Sequence, residues 1–136
     1  YKNISLTGPV LTIRRFPENR ITMEDLIRFG SVTQEAADFL EILVKSGYNL
    51  LISGGTSSGK SSLLGALTDY IPDNERIILI EDSAELQIQG NDNLVRLETR
   101  NANVEGCKPV TIRDLIRASL RMRPEPHHYE IVRFRA

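Results

Sequence analysis

Hydrophobic and polar positions change rhythm along this chain, and each change marks an element. Between residues 4 and 16 they alternate about Gly8-Pro9, the period-two pattern of two short strands or one bent edge strand. Residues 17–20 make a turn. Thr22 then precedes Met-Glu-Asp-Leu-Ile-Arg-Phe, with acids early and Gly30 behind, which predicts a short capped helix. Thr33 opens a second helix whose apolar stripe is Ala36, Ala37, Leu40, Leu43 and Val44, and Gly47 ends it. The apolar run at 48–53 reads as the first central strand, and helical spacing resumes from Gly59 to Tyr70. Pro72-Asp73-Asn74 turns the chain into Arg76–Glu81, a continuous apolar run of the kind found in parallel strands buried on both faces. Leu94–Thr99 alternates, as a half-exposed strand does. After a polar loop at 101–109, Thr111 caps a helix that must stop before Pro124, and a last strand is expected over 129–134. Strands alternating with helices predict a three-layer α/β fold on a mostly parallel sheet.

The junction between the first central strand and the third helix carries chemistry. Gly54-Gly55-Thr56-Ser57-Ser58-Gly59-Lys60-Ser61 fits the G-x-x-x-x-G-K-[ST] phosphate-binding pattern, with a strand before it and a helix after it. Gly54 and Gly59 permit backbone angles that side chains forbid, so successive N–H groups can curl round a phosphate. The opening helix aims its free amides and positive dipole end at the same anion. Lys60 can reach the β- and γ-phosphates of a nucleotide, and the Ser61 hydroxyl can reach Mg²⁺, with Ser62 closing the motif. A chance Gly/Ser turn before a helix would account for neither flank.

Two further sets remain open on spacing alone. Glu81-Asp82-Ser83-Ala84-Glu85-Leu86 follows the doubly buried strand, at the sheet end where ligands of parallel sheets sit. Glu81, Asp82 and Glu85 could orient an attacking water or hold the shell of a metal, while a solvated acidic turn would look the same. Arg113, Arg117 and Arg121 recur every four residues, with Arg123 beyond and Arg96 and Arg100 upstream. They read either as transition-state arginines for a phosphate or as a basic face paired with acids such as Asp114. His127-His128 makes a poor metal pair, since neighbours on a strand point to opposite faces. Cys107, alone, supplies no disulfide framework and reads as an incidental thiol.

Composition narrows the class. With 136 residues, 40% hydrophobic, 26% charged and a net charge of −1, the chain is one domain or a piece of one. It lacks the bulk basicity of a nucleic-acid binder, and no aromatics interleave its arginines. No apolar run approaches the roughly 18 residues of a membrane span, and no signal peptide opens the chain, so a cytosolic protein is expected. The first residue is Tyr1, so the chain is expected to be cut from something longer.

Several segments together resemble one family. G-P-V-L-T-I-R-R-F, L-I-R-F-G-S, N-L-L-I-S-G-G-T-S-S-G-K-S-S-L-L, E-R-I-I-L-I-E-D-S-A-E-L, V-R-L-E-T-R and V-T-I-R-D-L-I-R-A-S-L-R-M-R-P are similar to the secretion ATPases of type II and type IV secretion. The nearest likeness is to the CpaF-like motors of tight-adherence (Flp) pilus assembly, over residues 8–124. The resemblance implies a RecA-like P-loop ATPase working as a homo-hexamer on the cytoplasmic face of the inner membrane. Such a motor docks on secretion or pilus platform proteins without inserting in the membrane, and moves pilin or substrate. Residues 1–20 would then end an N-terminal domain or linker, with Thr12–Phe16 in it, and 21–136 would be the first, truncated part of the RecA-like domain. By motif, Gly54, Gly55, Thr56, Ser57, Ser58, Gly59, Lys60, Ser61 and Ser62 hold ATP, and Ser61 and Glu81 contact Mg²⁺. The acidic segment becomes the family's Asp box, with Glu85 as general base and Glu81 and Asp82 supporting the water and metal shell. Arg121 and Arg123, with Arg96 and Arg100, fall where the family has arginines near the nucleotide or subunit boundary.

One stretch departs from the family. After R-M-R-P the family reads D-R-I-I-V-G-E-V-R-G, whereas this chain reads E-P-H-H-Y-E-I-V-R-F-R-A. Ile131 takes the place of the Walker B glutamate, and Glu130 stands one residue early, which in a strand is the other face. Codons for Pro-His-His, shifted by one base, can read Arg-Ile-Ile, so a reading-frame artefact is one expectation for this tail. Two functions follow: an ATP-hydrolysing motor, or a nucleotide-binding fragment or decayed copy that does not hydrolyse. A P-loop motor acting on nucleic acid is a third, which the near-neutral charge disfavours.

Overall fold

Three threonines start three of the four helices. In the computed structural model, which describes residues 8, 11, 13, 19–101, 108–122 and 128–133, α1 spans Met23–Arg28, α2 Gln34–Lys45, α3 Lys60–Leu67 and α4 Ile112–Ser119. The hydroxyl oxygen of Thr22 accepts from the Asp25 N–H, while the Asp25 carboxylate accepts from the Thr22 N–H, a reciprocal cap that Thr111 and Asp114 repeat on α4. Thr33 caps α2 through the Ala36 N–H. Gly47, at φ +72°, ends that helix: its N–H donates to Val44 O and the Tyr48 N–H to Leu43 O. Ala37 and Val44 are buried, but Ala36, expected on the same stripe, is exposed. Ala37 lies in phase with Leu40 and Val44, and its neighbour Ala36 is swung a quarter-turn out of that line.

α3 passes into a 3₁₀ turn at Thr68–Tyr70, and the chain re-enters the sheet as β1, Arg76–Glu81. With β2 (Leu94–Glu98) and β3 (His128–Arg133) it makes a parallel sheet of order β2-β1-β3, in which Ile77 pairs with Leu94 on one side and Tyr129 on the other. β1 is the centre of the core. Ile77 and Leu79 pack with Met23, Leu26, Ala37, Val44, Ala66 and Leu67 of α1, α2 and α3. Ile78 and Ile80 pack on the other face with Leu115 of α4. All four side chains are at most 2% exposed, and each burial supplies roughly 1.5–3 kcal/mol. Helices on both faces of a parallel sheet give the expected three layers.

Three expectations change. Residues 48–53 form no strand: Leu51 is 95% exposed, and the segment joins neither edge of the sheet among the described residues. An apolar run becomes a strand only when its N–H and C=O groups meet a neighbour's, and none lies beside it here. α4 stops at Ser119, well short of Pro124. There the Arg121 and Met122 N–H groups reach back only three residues, to Ala118 O and Ser119 O, which tightens the chain out of the α-helix. β3 begins one residue earlier than expected, with position 128 beside Arg76. The strands expected over 4–16 fall almost wholly outside the described residues, as do Cys107, Arg123 and His127. Among the described residues no helix is long and apolar enough to cross a membrane.

Candidate functional site

α3 runs back along the sheet from the carboxyl end of β1 to its amino end, so the loop that feeds it, residues 54–59, lies at the carboxyl end. This loop is exposed throughout, and Lys60, Ser61 and Ser62 form the half-buried first turn. Gly59 takes the left-handed conformation at φ +90°, and a Cβ on Gly54 would stand 2.7 Å from Ser58 Oγ. Ser57, at φ +60°, holds a conformation that costs a side-chain-bearing residue about 1–2 kcal/mol. The helical ladder begins with the Leu63 N–H donating to Gly59 O at 2.9 Å, so the amides of residues 60–62 lie ahead of it at the positive end of the dipole. Lys60 Nζ arches over the loop, donating to Gly54 O at 2.7 Å and to Gly55 O. Among the described residues no carboxylate pairs with it. A tight backbone cradle, a helix start and a cation held only by neutral carbonyls fit the phosphate chain of ATP. The Ser61 hydroxyl, on the first turn, fits the accompanying Mg²⁺.

The acidic segment is built differently. Glu81 ends β1 and is 2% exposed. Its Oε1 accepts from the N–H groups of Glu85 and Leu86, each at 3.0 Å, and its Oε2 pairs with Arg96 Nη2 at 3.4 Å. A carboxylate so deeply buried persists only when its oxygens are satisfied in this way. The same Arg96 nitrogen donates to Leu86 O at 2.8 Å. Further along β2, Glu98 Oε1 accepts from the Ala84 N–H at 3.1 Å, and Thr99 Oγ1 donates to Asp82 O at 3.1 Å. The Thr99 N–H donates to Glu81 O at 3.1 Å, extending the sheet past both strands. Leu86, 3% exposed, anchors the far end in the core under α3. Residues 82–86 are thus tied to β2 on one side and to the core below, and Asp82 and Glu85 remain half-buried.

Sequence reasoning set Arg96 among arginines near a nucleotide and passed over Glu98 and Thr99. Their signal was the polar side chain at every second position, 96 and 98, on a strand adjoining β1. It becomes readable only with the register, which sets Leu79 beside Arg96 and Glu81 beside Glu98.

Among the described residues, Arg121 stands away from the phosphate loop. Met122 O accepts from Arg76 Nη1 at 2.8 Å, which fixes the end of the α4 turn at the amino end of β1. Arg121, exposed one residue before, therefore stands at the opposite end of the sheet from the phosphate loop and on the α4 side. Arg113 and Arg117 are exposed on α4, and Arg123 lies outside the described residues. Asp114 serves its own helix: hydrogen bonds from the Thr111 hydroxyl and N–H hold its carboxyl below the ordinary value of 3.8, ahead of any help from Arg117 and Arg113. On β3, Ile131 is buried with Leu79 on the α3 side, while Val132 packs on the α4 side. The position where the resemblance places a glutamate is filled by core isoleucine. Among the described residues no group of three or more His, Cys, Asp or Glu is arranged to hold a metal.

The chain is similar to known proteins. A family model described as "Type II/IV secretion system protein" matches residues 4–126. An uncharacterized protein of Methanocaldococcus jannaschii is 43% identical over 129 residues, covering 90% of this chain and 18% of that protein. The type IV secretion system protein PtlH of Bordetella pertussis is 40% identical over 87 residues, 64% of this chain and 26% of PtlH. Among solved structures, that of the VirB11 ATPase from the Brucella suis type IV secretion system, in complex with sulphate, matches with a TM-score of 0.54 and 30% identity. That match covers 82% of this chain and 38% of the VirB11 chain. The chain spans well under half the length of each.

Proposed function

Because the chain belongs to the type II/IV secretion system protein family, we propose that it is the nucleotide-binding part of an ATP-hydrolysing motor subunit for secretion or Flp pilus assembly. One observation supports this reading: the acidic segment pinned at the carboxyl end of β1 packs its Leu86 against α3, the helix that the phosphate-loop sequence opens. Residues 54–62 hold the triphosphate, with Lys60 leaving its carbonyl partners for the β- and γ-phosphates. Ser61 holds Mg²⁺ through its hydroxyl, with Asp82 supporting the surrounding waters. The metal, when bound, offsets the charge that develops on the phosphate oxygens. Glu85 is the base that orients the attacking water and takes its proton. The motor is a homo-hexamer on inner-membrane platform proteins at the cytoplasmic face. Arg121 and Arg123 act across its subunit boundary, a role favoured by the distance of Arg121 from its own phosphate loop.

The buried Ile131 favours a second reading, binding without hydrolysis, because the place that resembles the Walker B position offers no carboxylate. Phosphate release by the purified full-length protein separates the two. The motor reading expects Mg·ATP turnover that Lys60→Ala abolishes, with nucleotide affinity weakened about a hundredfold. Saturable Mg·ATP binding with no phosphate release selects the second reading.

A further inference from the structure

We propose that Glu81 is a positioning residue for the acidic segment rather than a ligand of Mg²⁺, and that Arg96 and Glu98 of β2, with Thr99 just beyond it, complete the device. The inference rests on the ATPase reading above and assigns a new role within it. A carboxylate that binds a metal, directly or through its waters, must turn an oxygen toward the metal. Both oxygens of Glu81 are committed elsewhere: Oε1 to the amides of Glu85 and Leu86, Oε2 to Arg96. At 2% exposure the side chain is closed off from solvent.

The geometry of the bonds gives the device its purpose. Glu81 Oε1 holds two successive N–H groups, which fixes the backbone at Glu85 and so the point from which its side chain departs. Arg96 binds both the Glu81 carboxylate and Leu86 O through one nitrogen, closing a ring around the end of the segment. Glu98 takes the Ala84 amide and Thr99 takes Asp82 O. Glu81, Arg96, Glu98 and Thr99 thus hold backbone groups of residues 82, 84, 85 and 86. A general base works only where its oxygen meets the water in line with the phosphate. A displacement on the order of 1 Å costs about a hundredfold in rate.

The test uses the full-length protein with Glu81→Gln, Arg96→Met and Arg96→Lys. Two quantities are read: steady-state turnover at varied Mg·ATP and varied free Mg²⁺, and hydrogen exchange of the peptide covering residues 82–86 in the absence of nucleotide. Glu81→Gln and Arg96→Met are expected to speed exchange in that peptide about tenfold. Both are expected to lower kcat about tenfold to a hundredfold, with KM for Mg·ATP and the half-saturating Mg²⁺ within about twofold of wild type. Arg96→Lys keeps the charge but has a shorter reach and no planar guanidinium, so it should recover only part of kcat. A severalfold rise in half-saturating Mg²⁺ for Glu81→Gln, with exchange over 82–86 unchanged, would overturn the proposal and return Glu81 to the metal. Unchanged exchange in both Glu81→Gln and Arg96→Met would overturn it also. Should the wild-type protein hydrolyse no ATP, the ATPase reading fails, while the exchange data still decide whether Glu81 and Arg96 set the segment.

Discussion

Two apolar runs of this chain look alike in sequence and end in opposite circumstances. Leu50-Leu51-Ile52 leads into the phosphate loop and Ile77-Ile78-Leu79-Ile80 into the acidic segment. Leu79 is fully buried, paired on both sides and covered on both faces, whereas Leu51 is 95% exposed and pairs with nothing among the described residues. Hydrophobicity makes a segment available for a sheet, but neighbours make it a strand. The contrast extends to the two halves of the site. The acidic half is complete within this chain, held by hydrogen bonds from β2 and a core leucine. The phosphate half rests on an unpaired lead-in, and its lysine is parked on its own loop carbonyls. Order is therefore unevenly distributed: the backbone of the acidic segment is fixed by hydrogen bonds to neighbouring strands, and residues 54–59 are exposed.

Four measurements sharpen that contrast. Leu79→Ala in the 136-residue chain removes a fully buried side chain at the centre of the sheet and is expected to cost about 2–5 kcal/mol in a denaturant titration. A loss below 1 kcal/mol would show that β1 is not the centre of the core. Lys60→Ala removes the single cation of the loop, and isothermal titration with Mg·ATP should show affinity about a hundredfold weaker. Thr111→Ala deletes the hydroxyl of the reciprocal cap on α4 and should destabilise by about 1 kcal/mol. It should also weaken a pH dependence, since the backbone N–H of residue 111 still donates to Asp114. Because hydrogen bonding lowers the folded pKa of Asp114 beneath its ordinary 3.8, its contribution is fully present above that value. It is lost as pH falls through the lowered folded value, so wild type and Asp114→Asn should converge in strong acid. Leu51→Ala comes last, at about 0.5 kcal/mol or less in this chain, with amides 48–53 exchanging far faster than amides 77–81. A large destabilisation from Leu51→Ala would mean that the lead-in is packed after all.

What could be read from the sequence was whatever is decided locally. The threonine caps at 22, 33 and 111, the stop at Gly47 and the loop-to-helix start at Gly59 follow from neighbours within four residues. β1 was legible because burial on both faces leaves an unbroken apolar run. The left-handed turn at Gly59 and the helix behind it were legible because the G-x-x-x-x-G-K-[ST] pattern sets glycines, lysine and a hydroxyl at fixed spacing. The lead-in strand was misjudged because pairing is non-local and its partners do not announce themselves beside it. α4 ended early because the local Ser119 and Ile116 contact and the tight turn at 121–122 outweigh a spacing that could have continued. Arg96, Glu98 and Thr99 were hidden for the same reason as the lead-in: their task depends on register between strands 15 or more residues apart. Arg113, Arg117 and Arg121 looked like one helical face, and the helix ran out before the third of them.

The central claim is that the carboxylate held at Glu85 does the chemistry on a nucleotide held by the Lys60 loop. It is tested most directly by Glu85→Gln in the full-length protein, with Mg·ATP binding and phosphate release measured on the same preparation. The account predicts affinity within about twofold of wild type and turnover lowered by about a hundredfold to ten-thousandfold. Normal turnover in Glu85→Gln would contradict it and remove Glu85 as the base.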